Sequence, residues 1–122
     1  MKHVLIVEDD SWLADSYCRT LEQAGFLVTT VQYAEAAIGI LDTSPPDVIL
    51  ADMLLDTNTV LPLLHELQTY SDSQTIPVIV CTSLDSPGID VNSLHSYGVV
   101  TVLNKATLLP EQLVLSVREV VA

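Results

Sequence analysis

HVLIVEDD, residues 3–10, is a short β-branched run that stops abruptly at three acidic residues. A run of this length and composition predicts a buried β-strand, since an apolar helix would extend further. Similar runs recur along the chain, at residues 27–31, 48–51, 77–81 and 99–103. They are apolar throughout instead of alternating, which is typical of strands that are covered on both faces.

Stretches with helical spacing separate these runs. Residues 11–24 carry Leu13, Tyr17 and Leu21 near helical spacing, and Gly25 follows as a stop signal. Further helices are predicted at residues 34–42, at 59–69, weakly at 86–97, and from Pro110 to the end. Five β-α units in order predict an α/β fold with a parallel sheet and helices on both faces, in one domain over residues 1–122.

The composition excludes several classes of function. The chain has 49% hydrophobic residues, and 16 acidic against 4 basic residues give it a net charge of −12. A basic surface for nucleic acid is therefore missing, and no nucleic-acid binding is expected. No apolar run approaches the ~20 residues that a membrane span needs, and no secretion signal is evident, so we expect no membrane contact and a cytoplasmic location. Cys18 and Cys81 are expected to be small buried residues with free thiols.

Polar side chains follow four of the five predicted strands. In an open parallel sheet, ligands bind beyond the carboxyl ends of the strands, so these side chains should meet at one edge. They are Glu8, Asp9 and Asp10 after the first strand, Asp52 after the third, Thr82 and Ser83 after the fourth, and Asn104 and Lys105 after the fifth.

Convergent carboxylates repel one another unless a cation lies between them, and hard oxygen ligands suit Mg²⁺ or Mn²⁺. Asp52 could then attack phosphorus as a carboxylate nucleophile, with a metal ion, Thr82 and Lys105 stabilising the transferring group. Taken singly, each residue has an ordinary explanation: residues 8–10 could start a solvated helix, Asp52 and Thr82 could cap turns, and Lys105 could be a surface lysine. Their joint placement at four strand ends favours the functional interpretation.

The motifs resemble those of the receiver domain of two-component response regulators, and the resemblance covers essentially the whole chain. The segments that carry it are VLIVEDD at 4–10, PDVILAD at 46–52, PVIVCTS at 77–83 and NK at 104–105. The resemblance implies a flavodoxin-like, doubly wound sheet of five parallel strands in the order 2-1-3-4-5.

The resemblance also implies roles for individual residues. Asp52 would be the phosphoacceptor, and Thr82 and Lys105 would bind phosphoryl oxygens. The metal would be Mg²⁺, held by Asp9 and Asp52 directly, by Glu8 mostly through water, and by the backbone carbonyl of Leu54. Such a domain is not an enzyme in the usual sense, although it supports its own slow dephosphorylation.

The partners that the resemblance implies are a sensor histidine kinase or phosphotransfer protein as phosphoryl donor, and an effector protein of unknown identity. In the family, the fourth helix, fifth strand and fifth helix form the usual partner surface, which in some members is a homodimer surface. Here that surface is expected to include Val99, Thr101 and Val102.

Some positions depart from the family pattern. The proline that usually follows the strand-5 lysine is Ala106, which makes the cis bond found there in relatives strongly unfavourable. Val102 replaces the aromatic residue that normally rotates inward on activation. Leu54 and Leu84 are apolar where polar side chains help to position water, which predicts a long-lived phosphorylated state.

Three alternatives remain at this stage. A receiver-like domain could signal by protein contact without phosphorylation, and the departures favour this. A phosphatase of the haloacid dehalogenase type would need a second aspartate at position 54, where this chain has leucine. A flavodoxin-like FMN binder would need hydroxyls and glycine after the first strand, where three acids would repel a phosphate.

Overall fold

The computed structural model describes residues 1–52, 54–55, 58–59, 64, 76–82 and 98–122. Five strands form one sheet in which every neighbouring pair is parallel, and their spatial order is 2-1-3-4-5. The predicted sheet and strand order are confirmed. The strands are β1 (His3–Val7), β2 (Leu27–Val31), β3 (Val48–Asp52), β4 (Val78–Thr82) and β5 (Val99–Asn104).

Three helices lie within the described ranges: α1 (Ser11–Gln23), α2 (Ala34–Thr43) and α3 (Pro110–Val121). Helix α1 begins where the Asp10 carboxylate accepts hydrogen bonds from the backbone N–H groups of Trp12 and Leu13. It ends before Gly25, whose φ of 97° lies in the left-handed region that glycine adopts without strain. Pro110 occupies the first turn of α3, where a missing N–H costs no hydrogen bond.

The predicted helix over 59–69 falls mostly outside the described residues, and the one over 86–97 falls wholly outside them. Leu64 is helical and fully buried, which agrees with the first of these predictions. Its predicted start is wrong, however, because Asn58–Thr59 forms a two-residue strand that pairs antiparallel with Leu54–Leu55. A hairpin with strands of two residues is too short to show an alternating pattern of side chains, so the sequence did not predict it.

The core lies on both faces of the sheet, as expected for a doubly wound fold. All residues of β1, β3 and β4 are buried. One face packs against α2 and Leu64, and the other packs against α1 and α3. Because β1, β3 and β4 are the central strands, the loops that leave their carboxyl ends start from the most firmly held part of the molecule.

Both cysteines are free thiols. Cys81 is buried in β4 as predicted, and burial, followed by the nearby charge of Asp52, raises the pKa of its thiol to about 12. The expectation that Cys18 is also buried is wrong, since it is only half-buried on α1. Among the helices of the described ranges, none combines the length and apolarity that crossing a membrane requires.

Candidate functional site

The carboxyl ends of four strands meet at one edge of the sheet. In the register of the parallel pairs, Val7 of β1 lies opposite Ala51, and Asp52 of β3 lies opposite Cys81. Glu8 therefore comes directly after β1 at the level of Asp52, and Thr82 ends β4 one residue further on. The predicted convergence of these chain positions is confirmed by the sheet register.

Glu8, Asp9 and Asp52 form a carboxylate cluster, in which each offers an oxygen and the three oxygens lie within 4.8 Å of one another. Glu8 is 2% exposed and Asp52 is 8% exposed, while Asp9 is the most exposed of the three. Glu8 directly follows β1, and its backbone N–H donates a hydrogen bond to the carbonyl of Val31, the last residue of β2, at 3.0 Å. The cluster is thus set mainly by the central strands.

Lys105 connects two members of the carboxylate cluster. Its ammonium Nζ lies 2.7 Å from Asp52 Oδ2 and 3.2 Å from Glu8 Oε2. The Lys105 side chain is 26% exposed, so these ion pairs are only partly screened by water. Lys105 thus supplies one ammonium to a cluster of three acidic side chains, two of which it contacts.

The pKa values of the cluster reflect this imbalance. Burial, and then repulsion by Asp52, raises the pKa of Glu8 to about 7. The hydrogen bond from the Asp10 backbone N–H and the charge of the Lys105 ammonium lower the pKa of Glu8, but by less than burial and Asp52 raise it. Burial lowers the pKa of Lys105, but the hydrogen bond and charge of Asp52, together with Glu8, outweigh burial and raise it. Lys105 is therefore charged at neutral pH, whereas Glu8 is only partly ionised.

The residues present suit a divalent cation on two grounds. Two oxygen ligands of one Mg²⁺ or Ca²⁺ lie at most roughly 4–5 Å apart, which the separations in the carboxylate cluster match. A cation would also relieve the repulsion that raises the pKa of Glu8. Glu8, Asp9 and Asp52 are the residues that could hold it, and they include the metal-ligating side chains that the sequence predicts.

The structure gives fewer contacts for the remaining predicted site residues. Thr82 is 2% exposed, and its backbone carbonyl accepts the Lys105 N–H at 2.9 Å, so the two residues are adjacent at the strand ends. Leu54 lies in the first strand of the short hairpin, and a metal-binding role for its carbonyl stays a prediction. Ser83 and Leu84 lie outside the described residues.

The acidic run after β1 divides into two functions. Asp10 is the N-cap of α1, which matches the ordinary explanation of these acids as a helix start. Glu8 and Asp9 belong instead to the carboxylate cluster. The family resemblance assigns Glu8 and Asp9, but not Asp10, to the metal, whereas the spacing of the acids alone does not separate them, because the split depends on the residue at which the helix begins.

The expected partner surface needs one correction. Val99 is 2% exposed and packs in the core, so its side chain does not contribute to that surface. The reason is an irregularity in the pairing of β4 with β5: Val78 lies opposite Val99 and Ile79 opposite Thr101, so Val100 is an extra residue between them and is 50% exposed. Thr101 and Val102 are half-buried, and Val102 packs against the α2 side of the core.

A doubly wound sheet that brings carboxylates, a threonine and a lysine to the ends of strands 1, 3, 4 and 5 defines the receiver class of signalling domains. Residues 4–118 match the family model described as "Response regulator receiver domain". The chain belongs to this family and is a receiver domain of two-component response regulators.

Curated relatives agree with this assignment. Swarming motility regulation protein RssB of Serratia marcescens is 36% identical over 109 residues, which cover 89% of this chain and 48% of RssB. Sensory transduction protein RegX3 of Mycobacterium tuberculosis is 35% identical over 86 residues, or 70% of this chain and 37% of RegX3. Phosphate regulon transcriptional regulatory protein PhoB of Escherichia coli is 29% identical over 82 residues, or 67% and 36%. The chain spans half or less of the length of these relatives.

Solved structures show the same fold. The signal receiver domain of a signal transduction histidine kinase from Syntrophus aciditrophicus superposes with a TM-score of 0.87 at 28% identity, covering 99% of this chain and 90% of that one. Chemotaxis response regulator CheY4 of Vibrio cholerae superposes with a TM-score of 0.87 at 24% identity, covering 98% of both chains. The second likeness concerns the fold alone.

Proposed function

We propose that this domain accepts a phosphoryl group on Asp52 in a Mg²⁺-dependent reaction and thereby switches a protein-interaction surface. The observation that carries the proposal is the ion pair between the Lys105 ammonium and the carboxylate of Asp52, with Nζ 2.7 Å from Oδ2 and two further acids beside it. A carboxylate exposed to water is solvated without such a partner, whereas Asp52 is only 8% exposed.

The chemistry assigned to the side chains is a phosphoryl transfer. An Asp52 carboxylate oxygen attacks phosphorus and forms an acyl phosphate, while the bond from phosphorus to the donor atom breaks and the donor keeps the electron pair. Lys105 then exchanges its contact with Asp52 for contacts to the phosphoryl oxygens, and the Thr82 hydroxyl binds another of them. Mg²⁺, or Mn²⁺, held by Glu8, Asp9 and Asp52 would supply charge neutralisation for the transferring group.

The partners follow from membership of the family. We expect a sensor histidine kinase or phosphotransfer protein as donor, an effector protein of unknown identity as recipient of the signal, a cytoplasmic location, and no turnover beyond slow dephosphorylation. In the described residues, Val100 on β5 and Leu115 on α3 are large apolar side chains exposed by 50% and 57%. They lie on the elements that the family uses for partner contacts, and a homodimer through this surface is one form that such contacts could take.

The experiment that tests the proposal is mass spectrometry after incubation with acetyl phosphate and Mg²⁺. We expect a gain of one phosphoryl group in the wild type and no gain without Mg²⁺. Asp52→Asn should abolish the gain, whereas Asp42→Asn, an exposed aspartate on α2, should leave it unchanged. An unmodified wild type, or a modified Asp52→Asn variant, would refute the proposal.

A second function is favoured by one observation, namely that Val102 provides no aromatic ring on β5. The domain would then signal by protein contact alone, with the carboxylate cluster as a remnant. The same mass spectrometry separates the two functions, because a contact-only domain gains no phosphoryl group on Asp52.

A further inference from the structure

The loop that follows β5 contains a turn in which Asn104 accepts two hydrogen bonds, one through its side chain and one through its backbone. The Asn104 side-chain oxygen Oδ1 accepts the backbone N–H of Ala106 at 3.1 Å. The Asn104 backbone carbonyl accepts the N–H of Thr107 at 3.2 Å. Asparagine favours this arrangement, in which its side chain substitutes for a backbone acceptor within the turn. Lys105 is therefore enclosed by a turn that begins at the residue before it.

The backbone of Lys105 is fixed on its other side by the sheet. Its N–H donates to the Thr82 carbonyl at 2.9 Å, which keeps residue 105 in line with the end of β4. From this backbone position, the ammonium extends to Asp52 and Glu8. No peptide bond in the described residues is cis, so the loop reaches this arrangement with trans geometry alone.

Residue 106 supplies the hydrogen-bond donor that the side chain of residue 104 accepts. A proline at position 106 would have no N–H and could not donate to Asn104. With alanine there, the N–H is present and Asn104 accepts it. An alanine alone would leave this exposed loop free to sample other conformations, since both Ala106 and Thr107 are exposed.

We propose that Asn104 is a positioning residue for phosphoryl uptake, because its hydrogen bond to the Ala106 N–H holds the turn from which Lys105 reaches Asp52. Asn104 acts through the loop and does not itself bind the phosphoryl group. The inference rests on the proposed function, in which Lys105 stabilises the transferring group.

The first test measures the initial rate of phosphoryl uptake from acetyl phosphate with Mg²⁺ in three variants. Asn104→Ala should slow uptake about fivefold, the scale of losing one hydrogen bond of about 1 kcal/mol. Asn104→Asp keeps the acceptor oxygen and should restore the rate to within about twofold in high salt, which screens the added charge. Thr107→Ala, which changes an exposed side chain in the same turn, should behave like the wild type.

The second test does not depend on phosphorylation. The chain has only two lysines, Lys2 and Lys105, so competitive amine labelling with mass spectrometry reports Lys105 relative to an exposed internal reference. Asn104→Ala should raise the labelling of Lys105 relative to Lys2 at least twofold, because a loosened turn exposes the ammonium. Asn104→Asp and Thr107→Ala should not change the ratio. Thermal melts establish that each variant is folded.

The two tests separate the inference from the proposed function. Slower uptake and higher labelling in Asn104→Ala, both reversed in Asn104→Asp, support the positioning role. Unchanged uptake in Asn104→Ala, or equal slowing in Asn104→Asp, overturns it. If the wild type takes up no phosphoryl group, the proposed function is wrong, and an unchanged labelling ratio in Asn104→Ala would then overturn the positioning role as well.

Discussion

Replacing Glu8 by glutamine should stabilise the metal-free domain at neutral and basic pH. Glu8 is 2% exposed, and burial together with the charge of Asp52 raises its pKa from the ordinary 4.5 to about 7. In the unfolded chain this carboxyl loses its proton near pH 4.5, while in the folded domain it keeps the proton until about pH 7. The folded state thus binds more protons between these values, and Glu8 makes stability fall as pH rises through this window.

The size of the effect follows from the pKa difference. A change of one in pKa corresponds to about 1.4 kcal/mol, so the penalty at pH 8 is about 3 kcal/mol at most. Glutamine resembles the protonated acid in shape and lacks the charge. Glu8→Gln should therefore match the wild type at pH 4 and exceed its free energy of unfolding by up to about 3 kcal/mol at pH 8.

The assay is urea denaturation of both proteins from pH 4 to pH 8 in the presence of a chelator, followed by circular dichroism. The carboxyl groups outside the site are common to both proteins, so the difference between the two pH curves reports the site alone. Glu119→Gln, an exposed glutamate on α3, is the matched control and should show no pH-dependent difference. Curves that run parallel from pH 4 to pH 8, or a variant less stable at pH 8, would refute the reasoning.

Three further predictions concern the same site. Mg²⁺ should raise the melting temperature more at pH 8 than at pH 6, because Glu8, with its pKa of about 7, must lose its proton to bind the metal ion. Equal increases in melting temperature at both pH values would contradict this. Lys105→Met removes the ammonium that pairs with Asp52 and Glu8, and it should destabilise the metal-free domain by about 1–3 kcal/mol in urea denaturation. The same variant should slow phosphoryl uptake at least tenfold. Lys2→Met is the control, and uptake by Lys105→Met at the wild-type rate would argue against the role of Lys105. Asp10→Ala should cost about 1 kcal/mol of stability through the lost N-cap of α1 while Mg²⁺ still binds; loss of the metal response in a folded variant would place Asp10 in the site instead.

The sequence predicted the sheet and the edge at which the site lies, and the reasons are physical. Runs without alternation require helices on both faces, and βα units in order require parallel strands. Once the strands are parallel, Glu8, Asp52, Thr82 and Lys105 share an edge whatever the details of the loops. This is why the contact between Lys105 and Asp52, separated by 53 residues, was predictable from strand ends.

Other features depended on information that periodicity does not carry. The start of α1 at Ser11 decides that Asp10 is a cap while Glu8 is buried. The irregular register between β4 and β5, in which Val100 is an extra residue, decides that Val99 is buried and Val100 is exposed. The turn at Asn104 left a local signal, an asparagine directly after an apolar run, but the hydrogen bond between Asn104 and Ala106 is visible only in the structure.

The most direct measurement is a crystal structure of the domain grown with Mg²⁺ and beryllofluoride, which mimics a phosphoryl group on a carboxylate. Our account predicts beryllofluoride attached to Asp52, with the Lys105 ammonium and the Thr82 hydroxyl on its fluorine atoms and a metal ion held by the neighbouring acids. An Asp52 that carries no adduct, with Lys105 still paired to it, would contradict the account.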